Sequence, residues 1–496
     1  MKLSYLSHRI GAALLGLTLG CAPAFPHGDH ERDQPHWQEA TGWPDRIITT
    51  LPGDPARSFA VSWRTNIDVT VALAEIAPAS EVARFDLGAS TVKGETTPLS
   101  LEALRTADGL EVPEIHNTGL PTVNYHSVTF KGLDPDTLYA YRVRGETGKW
   151  SAWRQYRTAP LDGPISFLFF GDAQTGIRSH VTRVFDTARQ VSPYARFAIH
   201  GGDLVNTPFY DREWAEWFEA LGPTHYVMPA ILVAGNHDYV NLTKVDGEDE
   251  KLFIADKTVS PIWRPQFTLP VESDLPADLH ETVYDVRYSE DVHVFVLDSS
   301  GIAFDAQLAW LERQVMASKA RWKVLTMHHP LYSFVGGNEH PAHLERRNQI
   351  AEALEKLDID VVITGHRHSY QRGQIGDDVA RYAVGDAQSV DTVFIITASS
   401  TKRGESKVDG WQRFSDEEDG DYVLTRSGDN VPLFAAFDLD GDTLTYRAID
   451  ALGEVYDGFT LTKSESGTTL INSDEASEPE KTYDNTAPYI AWDDLR

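Results

Sequence analysis

The chain has 496 residues, 41% of them hydrophobic and 10% aromatic, too apolar for disorder and too long for one core, so two or three domains are expected. Lys and Arg number 44 against 74 Asp and Glu, a formal net charge of -30, which argues against binding to nucleic acid or an anionic membrane surface. The single cysteine, Cys21, excludes an internal disulfide framework and any cysteine-built zinc site.

Lys2 and Arg9 make a short basic start, Ile10 to Leu19 is apolar apart from Gly and Thr, and Ala22-Pro23-Ala24 offers the small-x-small pattern of a signal-peptidase site. Residues 1–24 are therefore read as a signal peptide and the protein as secreted or periplasmic. Thr18-Leu19-Gly20-Cys21 is an imperfect lipobox, so lipoprotein anchoring at Cys21 is the alternative. The apolar run is too short to span a bilayer, and no other segment is long and apolar enough. Residues 25–42, with His27, His30 and His36, read as a polar linker rather than a metal-scavenging tail.

Residues 43–160 read as a β-sandwich. Phe59 to Trp63, Asn124 to Phe130 and Leu138 to Val143 alternate apolar and polar residues, with turn residues between them. Leu133-Asp-Pro-Asp-Thr-Leu-Tyr139 resembles the tyrosine corner of an immunoglobulin-like sandwich. Trp63 is assigned to the core.

From Ile165 the rhythm becomes strand, loop, helix. Strands are predicted at Ile165–Phe170, Arg196–Ile199, Ala230–Val233, Val292–Leu297, Lys323–Thr326, Val361–Ile363 and Thr392–Ile396, with amphipathic helices at Asp211–Leu221, Ala306–Ala317 and Pro341–Leu357. Ser179 and Asp305 are predicted helix caps. This alternation predicts an α/β domain over 161–463. Residues 430–463 return to strand-like alternation with a hairpin turn at Asp440-Gly441, and 464–496 read as an acidic tail. There is no internal repeat.

Just beyond five of those strands stand Asp172, Asp203, Asn236-His237-Asp238, His328 and His366 with His368. Sites in open α/β sheets gather beyond the carboxyl ends of strands, so these groups are expected to converge. One such residue means little, because Asp, Asn and Gly often end a strand; five in succession, each with an N or O ligand atom, predict a metal site. Carboxylate, imidazole and amide together suit Mn, Fe, Zn or Mg, and the number of candidates is enough for two ions sharing a bridging carboxylate.

Gly171-Asp-Ala-Gln174, Gly202-Asp-Leu-Val-Asn206, Gly235-Asn-His-Asp238, Val324-Leu-Thr-Met-His328-His-Pro330 and Gly365-His-Arg-His368-Ser-Tyr370 resemble, in order and spacing, the motifs of the calcineurin-like metallophosphoesterases. The purple-acid-phosphatase branch is the nearer match, over roughly 43–463. The resemblance implies a multidomain α+β/α/β fold: a fibronectin-type-III-like β-sandwich, then an α/β sandwich of two central sheets flanked by helices. It makes Asp203 the bridging ligand, gives Asp172 and His368 to the first metal, and gives Asn236, His328 and His366 to the second. His237 resembles the histidine that contacts phosphate or protonates the leaving group. His340 is the match to a second catalytic histidine, ahead of His343, and His329 is assigned to packing behind the ligands.

Two positions depart from the pattern. Asn206 stands where purple acid phosphatases have the tyrosine that colours iron(III), and Gln174 stands where many relatives have histidine. An amide oxygen from either is a possible, neutral ligand, so the site is expected to hold two divalent ions (Mn, Fe, Zn or Mg); a violet preparation would contradict this. The implied activity is acid-phosphatase-like hydrolysis of phosphate monoesters by water activated between the two metals, on a small phosphorylated substrate. The alternatives are a phosphodiesterase or nucleotidase, and an exported binding protein with a degenerate metal site. Asp238 is considered as a partner for His237, Tyr370 and Arg372 as pocket lining, segment 240–285 as a gate, and Arg264 as a phosphate contact.

Overall fold

In the segment after Gly53-Asp-Pro55, Phe59, Val61 and Trp63 alternate with the small residues Ala60 and Ser62, and this period places them on one face of a strand. The computed structural model of the chain describes residues 39–100, 121–241, 257–301, 303–333, 341–354, 356–375, 385–402, 422–428 and 431–474. The expected signal peptide, most of the linker and His340 lie outside them.

Eight strands come first: β1 (Asp45–Thr50), β2 (Ser58–Asn66), β3 (Leu73–Pro78), β4 (Ser90–Lys93), β5 (Glu95–Leu99), β6 (Val123–Lys131), β7 (Leu138–Val143) and β8 (Arg154–Arg157). They form two layers, β1-β2-β6-β5 and β4-β3-β7-β8, around a core of Phe59, Val61, Trp63, Phe130, Tyr141 and Tyr156. The Phe59 and Tyr156 rings stack at 3.8 Å, and the Trp63 indole N–H donates to the Arg144 carbonyl at 3.0 Å. The corner tie is present: the Asp134 amide donates to the Tyr139 hydroxyl oxygen at 2.9 Å.

Beyond residue 160 the strands are β9 (Ile165–Phe170), β10 (Phe197–His200), β11 (Ala230–Leu232), β12 (Tyr239–Asn241), β13 (Lys257–Val259), β14 (Tyr284–Arg287), β15 (Val292–Val296), β16 (Trp322–Met327) and β17 (Val361–Thr364). After them come β18 (Tyr370–Ile375), β19 (Gln388–Val390), β20 (Thr392–Ile396), β21 (Val423–Gly428), β22 (Leu433–Asp440), β23 (Thr443–Asp450), β24 (Val455–Ser464) and β25 (Gly467–Asn472). Among the described residues one sheet has 12 strands, ordered β19-β25-β24-β23-β22-β9-β10-β11-β1-β2-β6-β5, and a second has 7, ordered β14-β15-β16-β17-β20-β18-β21. Their inner faces share one apolar core, with Phe167, Ile199 and Phe437 from the first and Val294, Val324 and Ile363 from the second. The alternate residues Phe295, Leu325 and Val362 point the other way, onto Trp310 and Leu311 of helix Phe304–Ala317 and Ile350 of helix Pro341–Leu354. Helix Asp211–Leu221 sends Trp214 and Trp217 into the first core.

The sandwich shares its larger sheet with the α/β region. β1 pairs parallel with β11 through Thr50 and Ala230, and a buried charge network reinforces the join. Arg46 binds both carboxylate oxygens of Asp211 at 2.8 Å. Arg64 grips Asp45 at 2.9 and 2.8 Å and lies 3.6 Å from Asp211.

Four local expectations are corrected. Residues 464–496 are not all tail: β25 closes a hairpin with β24 and pairs with β19. The hairpin loop is Gly441-Asp442, because Asp440 is already paired with Thr443. Helix Phe304–Ala317 is preceded by Ala303 without a side-chain cap, and Asp305 lies in its first turn, near the positive end of the dipole. Ser179 sits inside the wide turn Ile177–Val181 rather than capping a helix. No helix among the described residues is long and apolar enough to cross a membrane.

Candidate metal centre

β9, β10 and β11 run parallel in one sheet, and β15, β16, β17 and β20 in the other. Their carboxyl ends open at the same edge of the two-sheet core. Asp172 follows β9, Asp203 follows β10, Asn236 to Asp238 follow β11, His328 follows β16, and His366 and His368 follow β17.

The loops after β10 and β17 turn sharply at their ligands. Asp203 (φ 50°), His366 (φ 73°) and His368 (φ 50°) hold left-handed backbone conformations, which non-glycine residues adopt at a cost and which cluster at functional sites. Gly365 is required by close approach: a Cβ there would stand 2.2 Å from Asp172 Oδ1. Without it, that oxygen accepts the His366 amide at 2.7 Å.

The side chains gather into two groups of possible ligand atoms, Asp172–Asp203–His368 and Asp203–His328–His366, each within 4.8 Å, and Asp203 belongs to both. The first group carries its own test of fit. Asp172 Oδ2 and His368 Nε2 are buried without a hydrogen-bond partner, yet they lie 3.0 Å apart. A shared cation would satisfy both, since buried polar groups without a partner cost free energy. In the second group His328 Nδ1 meets the Gly201 carbonyl at 2.9 Å; this fixes the tautomer that leaves Nε2 as the ligand nitrogen. His328 Nε2 lies 3.0 Å from Asn236 Oδ1 and 3.2 Å from His366 Nδ1, and His366 Nδ1 is 3.0 Å from the same amide oxygen. Six of the expected ligands are thus brought together.

The charges of the ligand groups are strongly coupled. Burial alone would lower His328, but Asp203 and Asp172 raise it to about 9. Burial would raise Asp203, yet His328 and His237 pull it well below the usual carboxylate range. The same carboxylates that draw a proton to His328 would draw a cation there.

His237 donates its amide to Asp203 Oδ1 at 2.7 Å, and its Nδ1 meets the Asn206 carbonyl at 2.7 Å, which leaves Nε2 for other chemistry. Asp238 does not orient His237. It is buried and accepts the Gly235 amide at 2.8 Å and the Leu204 amide at 3.3 Å, tying the β10 and β11 loops together. Burial, and then Asp203, raise its pKa well above the ordinary value.

Gln174 is also corrected: it turns nitrogen, not oxygen, to the site. Its Nε2 donates to Asp203 Oδ2 at 2.6 Å, while its Oε1 accepts from Lys402 Nζ at 2.6 Å. Asn206 offers its backbone, accepting from His237 and donating to Glu213 Oε2 at 2.9 Å. Tyr370 and Arg372 line no pocket; both are fully buried on Asp457, with hydrogen bonds of 2.6 Å from the tyrosine and 2.6 and 3.0 Å from the guanidinium. Arg264 clasps the Asp278 and His280 carbonyls, both at 3.2 Å, rather than presenting itself to a phosphate. Within 240–285, residues 242–256 lie outside the described residues, and Trp263 and Phe267 pack into the core. His329 meets Ser299 Oγ at 2.9 Å through Nδ1 and packs 4.2 Å from the His366 ring.

Three contributors escape a reading of the sequence: Lys402, Ser299 and Glu213. Lys402 and Ser299 lie shortly beyond β20 and β15, so two further strand ends were the available signal.

The comparisons with known proteins agree with this geometry. The family model described as calcineurin-like phosphoesterase matches residues 165–370, and that described as purple acid phosphatase, N-terminal domain, matches 44–158. Purple acid phosphatase 18 of Arabidopsis thaliana is 25% identical over 350 residues, covering 68% of each chain. Purple acid phosphatase 21 of the same plant is 28% identical over 259 residues, 50% of this chain and 53% of that one. The chain therefore matches about two thirds of the length of one such relative and half of the other. The structure of purple acid phosphatase PPD1 from yellow lupin seeds shares the fold at a TM-score of 0.64 and 16% identity, over 90% of this chain and 78% of that one. That of PhoD does so at 0.57 and 13%, over 89% and 94%. With both family models matched in the expected order and a two-group ligand set at the sheet ends, the chain carries a calcineurin-like metallophosphoesterase domain with a purple acid phosphatase N-terminal domain in front of it, and is a metal-dependent phosphatase.

Proposed function

We propose that the protein is an exported phosphatase that hydrolyses phosphate monoesters at a site for two divalent cations. The observation that carries the reading is the sharing of Asp203 by two ligand groups whose other members come from three separate loops. Asp172, Asp203 and His368 would hold one ion, and Asp203, Asn236, His328 and His366 the other. Bound there, two cations supply positive charge for the phosphoryl oxygens and a nucleophile from water near neutral pH.

The chain's own residues do the rest. Asp203 carries the negative charge that both groups share, and Gly201 fixes the tautomer of His328. His237, held through Nδ1 by the Asn206 carbonyl, keeps Nε2 to contact phosphate or pass a proton to the leaving oxygen. His340, the other catalytic assignment, lies outside the described residues. The acidic surface expected from a net charge of -30 favours small substrates over nucleic acid, and residues 1–24 support export.

The test is to strip metal from the mature protein and restore Mn, Zn, Fe or Mg singly, with an aryl phosphate monoester and an aryl phosphodiester as substrates. Metal-dependent turnover that favours the monoester is expected. Preference for the diester would move the substrate class, and no turnover with any metal would leave a binding protein.

A further inference from the structure

The loop after β20 lies directly against the loop after β9. A Cβ on Gly171 would stand 1.9 Å from the Thr397 carbonyl oxygen, and the Ser399 amide donates to the Gly171 carbonyl at 3.3 Å. This close approach carries Lys402, partly buried, to the rim of the first ligand group. Its ammonium donates to Gln174 Oε1 at 2.6 Å, and a lysine can only donate, so Lys402 decides which way the Gln174 amide faces. The amide nitrogen is thereby left to donate to Asp203 Oδ2 at 2.6 Å.

We propose that Lys402, acting through Gln174, is a positioning residue that weakens the first metal site and holds it to ions of low charge. The inference rests on the metal-site reading above. Two physical effects act in the same direction. A fixed positive charge one amide away repels a cation placed among Asp172, Asp203 and His368. The amide it orients offers that cation a donor in place of an oxygen, and it occupies a lone pair of the shared carboxylate. A trivalent ion would feel the repulsion half as strongly again as a divalent one, because the energy scales with the charge product. Asp172 and Asp203 are the anionic members of that ligand group. The second group meets the same amide only through the shared Asp203, since Asn236, His328 and His366 bond to one another and to the Gly201 carbonyl.

The experiment titrates Mn into the metal-free full-length protein, without substrate, and compares the wild type with Lys402→Met, Lys402→Gln and Lys402→Arg. The wild type should show a tight and a weaker class of site. Both neutral variants should tighten the weaker class by about tenfold or more and shift the tight class, reached only through the shared Asp203, by less, while Lys402→Arg keeps the wild-type constants. Thermal unfolding of the metal-free proteins identifies a variant that fails to fold, and having two neutral variants keeps the comparison intact. Unchanged or weaker binding in the folded neutral variants, or tightening in Lys402→Arg as well, would overturn this inference alone. A wild type that binds no Mn would overturn the metal-site reading beneath it.

Discussion

At the scale of single residues, the site depends on loops that come closer than ordinary side chains allow. Gly365→Ala would drive a methyl group into Asp172 Oδ1, 2.2 Å from its ideal position, at a loop already strained by His366 and His368. Such a variant should keep its far-UV spectrum while losing most of its metal-dependent hydrolysis, about a hundredfold or more; turnover close to wild type would refute the packing argument. His237 acts differently, because its removal spares the ligand groups. His237→Ala should lower kcat by about 10²–10⁴, with a larger loss on an alkyl phosphate than on an aryl phosphate, whose leaving group needs less protonation. An equal loss on both substrates would remove the proton-donor role. The strand-end motifs were legible because aspartate, asparagine and histidine directly after an apolar run leave a visible pattern. The direction of the Gln174 amide was not legible, since it is set by Lys402, more than two hundred positions away, as the separation of 228 shows.

At the scale of elements, β1 and helix Asp211–Leu221 are joined by charge as well as by packing. Arg46 and Asp211 are 3% and 8% exposed, so Asp211→Ala leaves a buried guanidinium uncompensated and should cost about 3–5 kcal/mol, read by denaturant unfolding. The pH dependence comes from the direction of the shift. Burial raises the Asp211 carboxyl, but Arg46 and Arg64 outweigh it and leave the pKa below the ordinary value. Its contribution is therefore present above the unfolded value, about 3.9, and is lost as pH falls through the lower folded value. The difference in unfolding temperature between wild type and Asp211→Asn should accordingly narrow as pH falls below about 4; a gap that widens in acid would contradict the sign. The seven strands expected between Ile165 and Ile396 were legible to within a residue or two, because runs such as Ile165–Phe170 and Thr392–Ile396 are short, apolar and set between turn signals. β25 was missed because Gly467-Thr-Thr-Leu-Ile-Asn472 alternates weakly, and its stability comes from pairing with both β24 and β19. Tyr370 and Arg372 misled for a related reason. Their partner, Asp457, lies on a strand far along the chain, and a polar pair that is fully satisfied inside the protein cannot be told from an exposed one by sequence.

At the scale of the whole molecule, the sandwich is part of the phosphoesterase scaffold. β1 adds directly to β11, Ile48 and Leu51 belong to the large core between the sheets, and Thr49 Oγ1 donates to the His225 carbonyl at 2.9 Å. A chain lacking residues 39–160 exposes the β11 edge and that apolar surface, so it should elute as aggregates in size-exclusion chromatography. A monomeric fragment with normal hydrolysis would show that the shared sheet is dispensable. The division into an all-β segment and an α/β segment was legible from the change in hydrophobic period near residue 160. Their fusion into one sheet was not, since it rests on a single parallel pair, Thr50 with Ala230, and on buried charges contributed by both segments.

The central claim is that Asp203 is shared between two metal ions. The most direct measurement is the metal content of Asp203→Asn beside the wild type, each saturated with Mn and freed of excess ion, with aryl phosphate hydrolysis measured on the same samples. The account predicts two ions per chain in the wild type and no more than one in the variant, with hydrolysis lower by about 10³-fold or more. A variant that keeps two ions and its activity would contradict it.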